Sequence, residues 1–490
     1  IVTSYPEVLK NNMEELMNGE VTYLNPFLGL HHPKKLAEKL LETLHEAGYT
    51  SITEKEMREA VKAGYEEYER YKEDIVDEGL RILDWIEEND HKAIVLAGRP
   101  YHVDPEINHG IPDLINSLGM AVLTEDAVAR PGKLKRPIRV VDQWMYHSRL
   151  YEAAAAVAEN PRLELVQLNS FGCGLDAITT DQTQEILESS GDLYTCLKID
   201  EVSNLGAARI RLRSLKVAME ERERQAERRE KLLAAKDEAE KAADEITKDE
   251  PDYVIDREIF TKEMQKEGYT LLCPQMAPTQ FAMIEAGLRR HGYNVVVLKK
   301  ATAEDVEVGL KYVHNDACYP TILVVGQLMN ALLSGKYDPD KTAVMITQTG
   351  GGCRATNYVA FLRKALHDAG LKQVPVIALS VTGIETNPGM RVSPAMAHHA
   401  IQSIVLGDLL VTCLLRVRPY ELQPGAANKL YNLWLDRCTA FIGGESKEYG
   451  FNDLVDGIVY DFDHFSMQDI PRKPWVGLVG EILVKFQPDA

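Results

Sequence analysis

Apolar positions along this chain keep one period at first and then alternate between two, and that change divides it. Val8, Leu9, Met13, Leu16 and Met17 have helical spacing, as do Leu36, Leu40, Leu41 and Leu44 beyond the breaks at Asn25-Pro26 and His32-Pro33. Thr53 and Glu56 form a capping box that opens a long amphipathic helix through Met57, Ala60, Val61, Tyr65, Tyr68, Ile75, Leu80 and Leu83. From residue 93 onward, short apolar runs at 93–97, 121–123, 163–168 and 193–199 read as strands, with helical spacing at 111–118, 150–157 and 180–187 between them. Alternation at these lengths predicts a mostly parallel sheet, hence a Rossmann-like domain.

Residues 206–250 break the alternation. They are rich in Ala, Glu, Lys and Arg with sparse apolar positions, which predicts one long solvated helix joining two halves. Then the alternation restarts, with strands at 269–272, 295–298, 343–346 and 376–379. Helical spacing runs through Phe281, Met283, Ile284 and Leu288, through Leu323, Val324, Leu328 and Leu332, through Phe361, Leu362, Ala365 and Leu366, and over 394–415. The expected fold class is α/β, with two Rossmann-like domains, mostly parallel sheets and a long charged helix between them. The predicted boundaries are 1–205 for the first domain with its helical N-terminal part, 206–250 for the connecting helix, 251–440 for the second domain and 441–490 for the start of a further unit. Residues 476–486 carry a strong strand signal, and with Ile1 in place of a start methionine the chain reads as a piece of something longer.

Composition narrows the function classes. At 490 residues, 45% apolar and 27% charged, this is an ordinary globular chain of more than one domain. A net charge of -20 argues against a nucleic-acid partner, since phosphate binding needs concentrated Lys and Arg. No apolar run approaches the length of a membrane span and no signal peptide opens the chain, so no membrane association is expected. Seven cysteines, odd in number and widely spread, fit no disulfide framework and point to a reducing, cytoplasmic setting.

Three of those cysteines stand where strands end or helices begin. Cys353 follows the strand at 343–346, within Gln348-Thr349-Gly350-Gly351-Gly352-Cys353-Arg354. Gly350, Gly351 and Gly352 remove every side chain before the thiol, so backbone N–H groups can crowd round whatever the sulfur holds, and a helix N-terminus beside it favours thiolate. Cys273 ends a strand in Cys273-Pro274, and Cys318 opens a helix in Asn315-Asp316-Ala317-Cys318-Tyr319-Pro320. Strand C-termini and helix N-termini share one edge of a parallel sheet, which gives the three thiols a place to converge. Converging thiolates suit an iron–sulfur cluster with one iron left open, while His314 near Cys318 keeps zinc as an alternative. Ser170-Phe171-Gly172-Cys173-Gly174 repeats the glycine–cysteine turn in the first half. Cys196, Cys413 and Cys438 read as small core hydrophobes. Arg99, Tyr101, His102, Asp104 and His109 share a strand-to-helix loop that suits either a substrate or a polar scaffold, and neither a phosphate-binding loop nor a dinucleotide fingerprint occurs.

Cys273-Pro274, Asn315-Asp316-Ala317-Cys318-Tyr319-Pro320, Gly350-Gly351-Gly352-Cys353-Arg354 and Asn169-Ser170-Phe171-Gly172-Cys173-Gly174 together resemble the large activase-related proteins of the 2-hydroxyacyl-CoA dehydratase superfamily. So do Val202-Ser203-Asn204-Leu205-Gly206-Ala207-Ala208-Arg209 and Val479-Gly480-Glu481-Ile482-Leu483-Val484-Lys485-Phe486, so the likeness runs over nearly the whole chain. The resemblance implies paired Rossmann-like domains with Cys273, Cys318, Cys353 and Cys173 as ligands of an iron–sulfur cluster, either a [4Fe-4S] cluster in each domain or a linked double-cubane cluster. It also implies electron transfer at very low potential, driven by ATP hydrolysis in an actin-like activator module that lies N-terminal to this region in the large proteins. On that comparison the first domain's other cysteines lie upstream of Ile1, leaving Cys173 alone in its half.

The resulting expectation is the cluster-binding component of an ATP-dependent low-potential reductase or dehydratase system. It takes electrons from the actin-like ATPase activator and passes them to a small or acyl-CoA substrate, and ATP enters only through the activator. A homo-oligomer is compatible with this reading. The alternatives are a non-redox scaffold that docks the activator, and a zinc-stabilised binding protein.

Overall fold

The computed structural model describes residues 5–130, 132–170, 176–199, 205–234, 257–315, 317–348, 350, 354–380 and 385–486. Two compact units divide the chain: residues 1–91 with 126–128, and residues 92–125 with 129–490.

Helices make up the first unit. Two short ones, Tyr5–Asn12 and Glu14–Met17, precede α1 (Pro33–Glu46) and α2 (Glu54–Glu88). Pro33 opens α1, where its missing N–H leaves no bond unmade. At the start of α2 the capping box forms as expected: Glu56 N donates to Thr53 Oγ1 at 3.2 Å, and Thr53 N donates to Glu56 Oε2 at 2.8 Å. α1 and α2 pack on each other and bury Leu36, Ala37 and Met57.

In the second unit lie two four-stranded parallel sheets of identical strand order. The first holds β1 (Ala93–Ala97), α3 (Ile111–Ser117), β2 (Ala121–Thr124), α4 (Met145–Ala158), β3 (Leu163–Asn169), α5 (Asp176–Ser189) and β4 (Thr195–Lys198), ordered β2-β1-β3-β4. After α6 (Leu205–Ala234) come β5 (Thr270–Pro274), α7 (Pro278–Arg290), β6 (Asn294–Leu298), α8 (Ala303–Tyr312), α9 (Tyr319–Leu333), β7 (Thr342–Thr347), α10 (Tyr358–Asp368) and β8 (Val376–Leu379), ordered β6-β5-β7-β8. The expected α/β class with two Rossmann-like sheets is what the chain adopts. Each sheet winds both ways from its first strand, so a crevice opens past the strand ends between β1 and β3, and again between β5 and β7.

The parallel connections, a class that is right-handed in nearly all proteins, place helices on both faces of each sheet. Ile94, Leu96, Val166, Leu168 and Leu197 pack against Ile111, Leu114 and Ile115 of α3 and against Leu212, Leu215 and Met219 of α6. The charged helix is therefore more than a solvated rod, because its N-terminal half buries an apolar stripe on the first sheet. In the second sheet Leu271, Cys273, Val295, Val297, Ala343, Met345 and Ile377 form a core with Leu288 of α7, and α8, α9 and α10 cover the other face.

Beyond β8, α11 (Pro394–Val417), α12 (Ala426–Gly443) and α13 (Phe451–Asp463) cluster around Leu406, Leu410, Trp434, Cys438, Leu454 and Ile458. By length and composition the segment Pro394–Tyr420 is apolar enough to cross a membrane, contrary to the expectation that no run qualifies. Leu406, Leu410 and Leu414 of it are buried in this helical core, while Ile401, Ile404 and Leu415 are exposed. The strand expected over 476–486 is not formed: Ile482–Phe486 is a short helix, α14, and residues 476–481 join no ladder. Extended chain gains little without an adjacent strand to pair with, and Trp475, Val476 and Val479 here are almost fully exposed.

Candidate functional site at the paired sheet edges

The crevice of the second sheet forms because two ladders end at different places. β5 pairs with β7 only as far as Leu272↔Val344, but with β6 through Pro274↔Leu298. Cys273 and Pro274 thus stand beside an opening toward β7. On the far side, the flanks of the glycine-rich turn are tied down. Gln348 N donates to Leu379 O at 2.7 Å, and Gln348 Nε2 donates to Thr356 O at 2.9 Å, which closes the turn across its base. Gly350 has φ of 72°, a left-handed conformation that favours glycine, and its carbonyl accepts from Gln143 Nε2 at 3.0 Å.

Cys318 caps the N-terminus of α9 with its sulfur 2.9 Å from Tyr358 Oη and 3.0 Å from Thr321 Oγ1. Tyr358 opens α10, five positions beyond Cys353 in the sequence. Cys273 is buried in the α7-side core, and burial, with the Glu285 carboxylate as a lesser cause, pushes its thiol up to about 12. Its Sγ lies 3.6 Å from the Pro274 carbonyl oxygen. Both thiols are free and both sit at the strand-end edge, but Cys273 faces the α7 layer and Cys318 starts a helix of the opposite layer. Cys173, Gly351, Gly352 and Cys353 lie outside the described residues. Among the described residues, no group of three or more His, Cys, Asp or Glu side chains is placed to hold a metal ion. His314 Nε2 is engaged by the Ala177 carbonyl oxygen at 2.8 Å and its ring packs on Phe361, so that nitrogen serves the contact between sheets rather than a zinc ion.

Corresponding pieces of the two halves meet at these edges. α5, which follows β3, faces α10, which follows β7. Arg139 pairs with Asp181 and, at 2.9 Å, with Glu185, and Lys364 of α10 reaches Asp181 at 2.8 Å. Burial alone raises Asp181, but the Arg139 and Lys364 charges outweigh it and hold the carboxyl below its usual range. Val141 N donates to Asn357 Oδ1 at 2.7 Å, so the loop before α4 also grips the start of α10. Two parallel sheets of one strand order, joined edge loop to edge loop, define a paired doubly wound α/β protein.

Residues 1–128 match the family described as the CoA enzyme activase uncharacterised domain (DUF2229). No curated protein and no solved structure matches the chain. The matched stretch covers the helical unit, β1 and β2, and its description agrees in general terms with the activase-related resemblance carried by the cysteine motifs.

Sequence reasoning included Gln348, Asn357 and Tyr358 in the stretch around Cys353 without giving them a role, and it passed over the Arg139–Asp181–Lys364 group. Gln348 and Tyr358 flank the cysteine turn, and a polar residue on each side of a glycine run was a usable signal. Nothing local marks Arg139, whose partners lie 42 and 46 positions away. In the loop after β1, Asp104 acts as scaffold by accepting from Glu106 N at 2.9 Å, whereas Arg99 and His102 turn toward the crevice of the first sheet.

Proposed function

We propose that this chain is the cluster-carrying component of an activase-dependent CoA-enzyme system, receiving low-potential electrons from an ATP-hydrolysing partner and delivering them to a small or acyl-CoA substrate. The observation that carries this reading is Cys318 at the start of α9, held 2.9 Å from the hydroxyl of Tyr358, on the same sheet edge as Cys273. The chemistry of the donors supports this: thiolate sulfurs, with the Nε2 of the nearby His314 taken up by Ala177 O, suit iron–sulfur ligation better than zinc. Cys273, Cys318 and Cys353 would be the ligands in this half and Cys173 the ligand in the other. When bound, the cluster supplies one-electron transfer at low potential.

The chain's own residues do the rest. Tyr358 and Thr321 present hydroxyls to the Cys318 sulfur, and such hydrogen bonds tune the potential of a sulfur-ligated centre. The Cys273 thiol must lose a proton to ligate, so cluster assembly releases protons and is favoured as pH rises. The CoA-activase description of the N-terminal family supports an activase system, and an actin-like ATPase is the expected partner.

Iron and acid-labile sulfide in anaerobically reconstituted protein test this directly. Both should be present in similar amounts, with a reducible paramagnetic signal, and Cys318→Ser or Cys353→Ser should remove them while Cys438→Ala does not. Stoichiometric zinc in colourless protein would replace this reading by the zinc-stabilised one. Metal-free folded protein that still binds an actin-like ATPase would replace it by the scaffold.

A further inference from the structure

The crevice of the first sheet contains polar groups that the cluster reading does not use. β1 and β3 pair up to Ala97↔Gln167, and two residues beyond that last pair come Arg99 and Asn169. Gly98 lets the two segments stay close: a Cβ there would lie 2.3 Å from His102 Nδ1 and 3.2 Å from Leu168 O. His102 accepts from Arg99 N at 2.9 Å, and its Nε2 meets Ser170 Oγ at 2.7 Å, so His102 pins the end of β1 to the end of β3. Along β3, Glu164 pairs with Arg222 of α6 and Val166 and Leu168 pack on the α3 and α6 layer. Strand alternation then turns Asn169 to the opposite face, toward α4 and α5. His147, in the first turn of α4, lies within electrostatic reach of Arg99.

Two of these side chains are buried without partners. His147 is 3% exposed and Asn169 1%, yet neither ring nitrogen of His147 and neither amide atom of Asn169 has a hydrogen-bond partner among the described residues. Leaving four such atoms unsatisfied is costly, and native structures rarely do so away from a ligand or ordered water. Arg99 binds Asp176 Oδ1 through Nε at 2.7 Å, which leaves the two terminal nitrogens of its fork as donors. The neighbouring carboxylates are already matched, Asp176 to Arg99 and Asp142 to Arg136 Nε at 2.8 Å.

We propose that this crevice is a binding site for a small oxyanion, a carboxylate or a phosphate group, gripped by the Arg99 guanidinium, by an imidazole N–H of His147 and by the Asn169 amide. A guanidinium fork matches the paired oxygens of either anion, and the neutral donors complete the shell that burial demands. The site stands on the first sheet, apart from Cys273 and Cys318, at the end of the strand that leads in sequence to Cys173, and the anion is argued from Arg99, His147 and Asn169 alone.

Calorimetric titration of the full chain with inorganic phosphate and, separately, with acetate tests it. Saturable binding of either is expected, and the one that binds more tightly identifies the group as phosphoryl or carboxylate. His147→Phe and the milder Arg99→Lys should each weaken it roughly ten- to hundredfold, the worth of a hydrogen bond to a charged group. If His147→Phe fails to fold, Arg99→Lys alone decides. Absence of saturable binding of both anions would overturn the proposal, as would binding unchanged by Arg99→Lys. A His147→Phe protein that melts higher than wild type, with neither anion bound by either, would mark the crevice as a water-filled polar pocket and would equally overturn it.

Discussion

Replacing Gly326 by Ala probes how the helix that carries Cys318 is seated. Gly326 on α9 faces the backbone of α8: a Cβ there would lie 1.8 Å from Asp305 O and 2.8 Å from Gly309 N, and at Gly309 it would lie 2.1 Å from Ile322 O. Ordinary contact begins near 3.4 Å, so the helices must part, and because the obstacle is backbone no side chain can rotate away. Overpacking of this kind costs up to about 3 kcal/mol. Parting the helices also stretches the 2.7 Å bond from Asn330 Nδ2 to Asp305 Oδ1, a loss of about 1.5 kcal/mol for a charged acceptor. Against this, alanine favours the helix by about 1 kcal/mol over glycine. The net expectation is a destabilisation of about 3 kcal/mol, a large share of a stability that for most domains is about 5–15 kcal/mol. Urea unfolding followed by tryptophan fluorescence measures it, and maleimide labelling resolved by mass spectrometry should show Cys318 reacting faster as α9 shifts from Tyr358. A loss below about 0.5 kcal/mol, the scatter of harmless surface changes, with unaltered labelling would refute the claim that these helices meet backbone to backbone.

Three further outcomes follow from the same structure. Arg139→Met strands Asp181 and Glu185 with Lys364 as their one remaining cation among the described residues, and should cost about 3–5 kcal/mol in urea unfolding; a loss under about 1 kcal/mol would show that the buried group contributes no more than a surface pair. Burial, with the Arg99 charge second, holds both His102 and His147 down to about 4, below the 6.5 of an unfolded histidine, so the unfolded chain binds protons that the folded one refuses. Each therefore contributes a loss of stability as pH drops from about 6.5 toward 4, at most about 3 kcal/mol per histidine, while burial of Asp192, which raises it to about 6, acts the other way in that window. His147→Phe should make the fall shallower by the share of one histidine, and an unchanged slope would assign it elsewhere. Thr53→Ala removes the cap of α2 and should cost about 1 kcal/mol, read as faster amide exchange at Glu56, and unchanged exchange there would mean the cap bond adds nothing.

The sequence by itself determined whatever depends on neighbours a few positions apart. The cap at Thr53 and Glu56, the helices with apolar stripes and the short apolar strands were legible because hydrophobic period and capping chemistry act locally. Two strand–helix alternations were enough to give two parallel sheets, since a parallel strand needs a crossover and the crossover has one hand. The strand signal at 476–486 misled for the complementary reason: a strand exists only with a partner, and no periodicity states whether a partner edge is near. Likewise Leu212, Leu215 and Met219 looked too sparse for a core until the first sheet lay under them. Only the tertiary structure could bring Tyr358 to Cys318 across 40 positions, His314 to Ala177 across 137 and Lys364 to Asp181 across 183. These contacts span separate strands and two sheets, and chain order carries no information about such distances until the helices have packed and the edges have met.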